Sequence, residues 1–196
     1  MIYILTFFLF VTSSLSAYTV GIIGDSISFP HPVSKEEGWP YLLEQKYNWH
    51  MVNASVGGST TDTLMTRLVD LHDAHAPDMV IITLGICDAI YGFSFDRTSS
   101  NLRKAVLYCI KNKIQVIIGI VDISYLGWHG EEYSKNFKNI YYGLKVHYKH
   151  KLKLFPFMTY DVEENHCIED HFHPNPSGHA IIADEISKME SYWLNK

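Results

Sequence analysis

Three stretches of the chain are almost unbroken runs of Val, Ile and their apolar neighbours: Tyr18 to Gly24 (YTVGIIG), Met79 to Gly85 (MVIITLG) and Ile114 to Val121 (IQVIIGIV). A strand with one wet face alternates apolar and polar residues, so a run without alternation predicts a strand buried on both faces. Trp49 to Ser55 (WHMVNAS) and Leu152 to Met158 (LKLFPFM) read as two weaker strands, the last with Pro156 inside it. Between them lie segments of helical period: Gly38 to Tyr47, a stretch after Gly57-Gly58-Ser59 reaching about Ala74, Thr98 to Asn112, Glu131 to His150, and Pro176 to Leu194. In Thr98 to Asn112 the residues Leu102, Ala105, Val106, Cys109 and Ile110 fall on one face. Regular alternation of strand and helix predicts parallel strands joined by crossover helices. The expected fold is therefore α/β, a three-layer α/β/α sandwich with about five parallel strands.

Sheets of this kind place their sites outside the carboxyl ends of the strands. Three polar or glycine-bearing turns occupy such ends: Asp25-Ser26, Gly57-Gly58 and Ile86-Cys87-Asp88.

The N-terminus is different in character. Met1 to Ser16 (MIYILTFFLFVTSSLS) holds no Lys, Arg, Asp, Glu or His, and an apolar run to Val11 is followed by a small polar cluster. This reads as a signal peptide over residues 1–16, cut before Ala17, with Ser14 and Ser16 at the small-residue positions. Its only positive charge is the α-amino group; an uncleaved anchor and a buried first strand are the alternatives. Residues 17–196 then form one domain of about 180 residues, periplasmic or secreted, with no stable membrane anchor after cleavage. Three cysteines, Cys87, Cys109 and Cys167, permit at most one intrachain disulfide and leave the pair open.

Composition excludes two classes. With 47% hydrophobic and 19% charged residues among 196 the chain is globular rather than disordered. A formal charge of −5 speaks against nucleic acid as a partner.

A serine in a strand-to-helix turn, as Ser26 is, presents its hydroxyl at the sheet rim with helical amides ahead of it. Near the C-terminus, Asp170-His171-Phe172-His173-Pro174-Asn175 sets a histidine three residues after an aspartate. One short turn can then supply a general base and the carboxylate that orients it. Each motif alone is weak evidence; a strand-end serine together with a late D-x-x-H in a doubly wound sheet is much stronger. Asn53-Ala54-Ser55-Val56-Gly57-Gly58-Ser59 adds a glycine whose N–H can turn toward the serine.

With GDSIS after the first strand, VNASVGG after the second, LGxxD with a following GF after the third, and DxxHPN before the last helix, the chain resembles the SGNH (GDSL-type) hydrolases. Within them it is closest to the acyl-CoA thioesterase I / lysophospholipase L1 / arylesterase group. The resemblance runs from about Ala17 to the last helix. It implies a flavodoxin-like fold and an exported serine esterase or thioesterase that hydrolyses lysophospholipids, fatty-acyl thioesters or aryl esters. By position it implies Ser26 as nucleophile, His173 as base and Asp170 as its orienting carboxylate, with the amides of Ser26 and Gly58 holding the oxyanion. Asp25 is implied to be a structural hydrogen-bond acceptor.

One position departs from the family pattern. Where the third motif carries an oxyanion-binding Asn, this chain has Cys87, and a thiol is a weak donor. A slower or retuned enzyme is expected. A non-catalytic lipid- or peptidoglycan-fragment-binding relative and a carbohydrate O-deacetylase are the alternatives.

Tyr91, Phe93, Tyr125 and Trp128 follow the third and fourth strands and are expected to line an apolar cleft for the acyl or aryl group. His166, His171, His173 and His179 lack the carboxylate or cysteine spacing of a metal site, so no metal and no cofactor are expected. The lysines from Lys135 to Lys153 read as a solvated helix face. The expected partner is a small or lipid-like acyl substrate, and the expected state a monomer.

Overall fold

The computed structural model describes residues 17–124, 129–158 and 165–194. The signal-peptide reading of residues 1–16, and Tyr125 and Trp128, lie outside the described residues.

The apolar runs form the strands β1 (Thr19–Gly24), β2 (His50–Asn53), β3 (Met79–Thr83), β4 (Gln115–Val121) and β5 (Lys153–Phe157). They pair in the order β2-β1-β3-β4-β5, every pair parallel. Residues Met79 to Ile82 are wholly buried, as are Val20, Ile22 and Ile23 and Val116 to Ile118, which is why those runs carry no polar alternation. β5 is an edge strand, the position in a sheet where a proline such as Pro156, opposite Ile120, is tolerated.

The helices are α1 (Trp39–Tyr47), α2 (Leu64–His75), α3 (Ile86–Ile90), α4 (Phe95–Lys111), α5 (Glu131–Tyr148), α6 (Pro176–Ser187) and α7 (Ser191–Leu194). α1 packs on α6, while α2, α4 and α5 form a second contiguous layer, so the sheet is covered on both faces. The longer helices each bury one stripe at helical spacing: Leu64, Leu68 and Leu71 in α2, and Phe137, Ile140, Tyr141 and Leu144 in α5. The three-layer α/β/α sandwich of five parallel strands is the fold expected. No described helix is long and apolar enough to cross a membrane.

Three local expectations need correction. The stretch after β3 is the short helix α3, whose five residues are too few to show a period. α4 begins at Phe95 rather than Thr98, because the Ser94 side chain caps it by accepting from the Arg97 N–H at 3.3 Å. The closing helix breaks after Ser187, whose hydroxyl donates back to the Ala183 carbonyl at 2.9 Å. All three cysteines are buried and free.

The chain leaves β1 for β2 on one side, then crosses back to add β3, β4 and β5 on the other. The reversal falls between β1 and β3, and Ser26 stands just past the end of β1. This is the topological switch point, where doubly wound sheets open a crevice.

Candidate active site

Four segments meet at the switch point. The first is the turn after β1. The carbonyl of Asp25 accepts from the N–H groups of Ser28 (3.2 Å) and Phe29 (2.9 Å), and that of Ser26 from His31 (3.4 Å), so the chain coils tightly around Ser26. Asp25 is fully buried; Oδ1 accepts from the Ile27 N–H at 3.1 Å, while Oδ2 has no hydrogen-bond partner among the described residues. Burial, against which the Ile27 bond works, pushes this carboxyl up to about 7. The expected role of Asp25 as an acceptor matches this geometry on one oxygen only.

The second segment follows β2. The Val56 N–H donates to the Gly24 carbonyl at 3.1 Å, which carries the strand pairing past β2 and lays Gly57 and Gly58 beside Ser26. A β-carbon built on Gly57 would stand 3.8 Å from Cβ of Ser26. Gly58 has φ of +73°, a conformation that strains any residue with a side chain. Asn53 ties this exit to the Ser26 turn: its amide donates to the Ser28 carbonyl at 2.8 Å, and its Oδ1 accepts from the Ser55 N–H at 3.0 Å. Asn53 lies within the VNASVGG motif, where the one signal of this role is a polar residue ending an edge strand.

The third segment is α3. Its N-cap Gly85 has φ of +138°, and a β-carbon there would stand 2.1 Å from the hydroxyl of buried Tyr141. Cys87 is 6% exposed. Burial, then the carboxylates of Asp25 and Asp88, push its thiol up to about 12, so it stays a neutral, weak donor. Asp88 is wholly buried and accepts from the Thr61 N–H (2.9 Å), the Thr61 hydroxyl and the Thr98 hydroxyl (3.0 Å). This one carboxylate joins the loop after Gly58, the helix α3 and the start of α4. Burial raises it, with the threonine bonds working against the rise.

The fourth segment spans residues 165–175, a loop closed at its neck. Cys167 and Pro174 form an antiparallel bridge, the Ile168 N–H donates to the His173 carbonyl at 2.9 Å, and the Asn175 N–H donates to His166 at 3.0 Å. Asp170 Oδ1 accepts from the N–H groups of Phe172 and His173, both at 2.9 Å. Asn175 then caps α6 by accepting from the Gly178 N–H at 3.1 Å, with Pro176 as the first helical residue. The D-x-x-H-P-N spacing is thus a single local hydrogen-bonded turn.

Across this crevice His173 Nδ1 stands 2.6 Å from Asp170 Oδ2, and His173 Nε2 stands 2.9 Å from Ser26 Oγ. Because a carboxylate only accepts, Nδ1 carries the proton, and Nε2 is left to accept from the serine hydroxyl. Burial acts to raise Asp170, but the bonds from the His173 ring and the N–H groups of His173 and Phe172 outweigh it and hold the carboxyl below its ordinary value. His31 sets its ring edge-on to His173, centroids 5.6 Å apart.

The other expected residues are spread around the rim. Tyr91 is 61% exposed. The ring of Phe93 is covered by the Arg97 guanidinium at 3.8 Å. Two concavities lie nearby: one of about 390 Å³ lined by Phe29, Pro30, Lys35 and Asn53, and one of about 680 Å³ beside the His173 turn, with Pro32, Ile168, Glu169 and His171. Neither Tyr91 nor Phe93 lines them; Phe29, which no sequence motif marks, lines the first. Among the described residues no three His, Cys, Asp or Glu side chains are grouped as metal ligands would be. His166 bonds the Ser177 hydroxyl at 2.9 Å, and His179 is buried under the Trp39 N–H at 3.4 Å.

The model of the GDSL-like lipase/acylhydrolase family matches residues 22–181. An arylesterase of Vibrio mimicus is 30% identical over 189 residues, covering 93% of this chain and 92% of its own length. The thioesterase 1/protease 1/lysophospholipase L1 of Escherichia coli K12 is 30% identical over 178 residues, covering 89% of this chain and 84% of that protein. Among solved structures, a psychrotrophic esterase, EstA, of Pseudoalteromonas sp., in a form inhibited by monoethylphosphonate, superposes with a TM-score of 0.79 at 27% identity. That match covers 91% of this chain and all of the other.

Proposed function

Because the chain belongs to the GDSL-like lipase/acylhydrolase family, we propose that it is an exported serine esterase or thioesterase working through Ser26, His173 and Asp170. One observation carries this reading: the unbroken line from Ser26 Oγ to His173 Nε2 at 2.9 Å and from His173 Nδ1 to Asp170 at 2.6 Å. As Ser26 Oγ bonds to the acyl carbon, its proton passes to His173 Nε2, and the carbonyl oxygen takes up the negative charge. The N–H groups of Ser26 and Gly58 receive that charge, with the Cys87 thiol as a weak third donor. His173 then gives its proton to the departing alcohol or thiol. In the second half a water loses a proton to His173, attacks the acyl-serine, and Ser26 leaves with its proton restored.

Acyl esters and thioesters with apolar acyl or aryl groups suit the rim, where Phe29, Val56, Ile90 and Tyr91 are all exposed. Apolar surface of that extent also weighs against a carbohydrate O-deacetylase, which would present polar groups. Export rests on the character of Met1 to Ser16, an apolar run without charge followed by small residues.

The test is labelling with a serine-directed fluorophosphonate, comparing wild type with Ser26→Ala. Labelling and p-nitrophenyl ester turnover in the wild type, both lost in Ser26→Ala, are expected. A wild type that neither labels nor turns over short esters would sink the enzymatic reading in favour of a non-catalytic lipid-binding one.

A further inference from the structure

Resting on that reading of the site, we propose that the Tyr91 hydroxyl donates a hydrogen bond to the carbonyl oxygen that becomes the oxyanion, a stronger donor than the Cys87 thiol beside the N–H groups of Ser26 and Gly58.

Tyr91 closes the turn that Cys87 begins. Its N–H donates to the Cys87 carbonyl at 2.9 Å, and the two residues stand four apart, so their side chains leave the same face of α3. The thiol is short and almost wholly buried, whereas the phenol reaches over the loop after β2. Its hydroxyl lies 3.8 Å from where a β-carbon on Gly58 would stand, on the residue whose N–H is assigned to the oxyanion.

The hydroxyl makes no hydrogen bond among the described residues, and the ring is largely exposed. It therefore contributes little to the fold, and both donor and ring are open to a ligand. Nor is its position left to a loose loop. Asp88 holds the Thr61 N–H on one side, and its carbonyl takes the Phe93 N–H at 2.8 Å on the other, so the Gly58 loop and the Tyr91 turn are clamped by one residue. A donor fixed before the charge develops is the kind that lowers a barrier, because it need not reorganise during reaction. Tyr91 would then be a catalytic residue through its hydroxyl, while its exposed ring stays part of the apolar rim.

The experiment measures kcat and KM for p-nitrophenyl acetate in Tyr91→Phe, which keeps the ring and removes only the donor. We expect kcat to fall about tenfold or more with KM changed less than about twofold. In a Cys87→Asn background, where a strong amide donor stands on the same face, the loss on Tyr91→Phe should shrink to about twofold. A Tyr91→Phe enzyme with kcat within about twofold of wild type, a loss confined to KM, or an undiminished loss in the Cys87→Asn background would each overturn the proposal. Thermal melts of both variants establish that they are folded. Ser26→Ala serves as the separate control: if it hydrolyses the ester as fast as wild type, the serine-hydrolase reading fails, and this inference fails with it.

Discussion

His173 Nε2 and Ser26 Oγ lie 2.9 Å apart although 147 positions of sequence separate them. The serine is held by the end of β1 and the histidine by the loop that enters α6. Their distance is therefore set by how α6 packs against the sheet, and the chemistry depends on that packing as much as on the two residues.

Asp170→Asn tests the orienting carboxylate. The Asn carbonyl oxygen can still accept from the Phe172 and His173 N–H groups, so the turn should survive. Its amide nitrogen, however, would face His173 Nδ1 and favour the imidazole tautomer that cannot accept from Ser26. A fall in kcat of about 10⁴ with little change in KM is expected. A loss under about tenfold, in steady-state assays with p-nitrophenyl esters, would remove Asp170 from the reaction.

Cys87→Asn tests the oxyanion site from the other direction. Replacing a neutral thiol by an amide donor should raise kcat about ten- to a hundredfold, with KM nearly unchanged. An unchanged or lower kcat would place the Cys87 side chain outside that site.

Asp25 gives a pH-dependent prediction. Its carboxyl moves from an ordinary 3.8 to about 7 on folding, chiefly by burial, so the folded state binds the proton more tightly than the unfolded one. Stability from this group is then complete below pH 4 and is lost as pH rises toward 7, about 4 kcal/mol in all. His179, lowered to about 4 mainly by burial, has the opposite slope, losing stability as pH falls from 6.5 toward 4. Urea melts of wild type and Asp25→Asn should converge near pH 4 and separate by pH 8, the variant being the more stable. Parallel curves across that range would show that Asp25 is not buried in its charged form.

Gly85→Ala should be among the most disruptive small changes in the chain. It combines φ of +138° with a β-carbon placed 2.1 Å from the Tyr141 hydroxyl, which itself donates to the Leu84 carbonyl at 3.1 Å. A loss of about 3 kcal/mol or more in chemical denaturation is expected. Gly58→Ala has room for its β-carbon and carries only backbone strain, about 1–2 kcal/mol. Equal losses at the two positions would contradict this account of Gly85.

Much of the fold was legible because burial on both faces writes itself directly into a strand. The runs over β1, β3 and β4 are apolar but for Thr19, Thr83 and Gln115 at their ends, and they are short enough for strands buried on both faces. α3 was not legible, because five residues make little more than one turn and show no period. The ties made by Asn53 and Asp88 were hidden for another reason. A polar side chain in a loop has many conceivable partners, and only the assembled crevice selects Ser28 for one and Thr61 with Thr98 for the other.

The sequence by itself determined the strands, the parallel layering, and the local turn that carries His173. Asp170, His173 and Asn175 belong to that turn, since their spacing dictates hydrogen bonds to amides no more than three residues away. The strand order β2-β1-β3-β4-β5 and the meeting of Ser26 with His173, both implied by the family resemblance, are realised only by the assembled tertiary structure, which alone sets the reach of the Tyr91 hydroxyl over Gly58. The division follows the range of the forces. Capping and turn bonds are satisfied locally whatever the rest of the chain does. Strand order and the seating of α6 minimise exposed apolar surface over the whole molecule, and no short segment contains that sum.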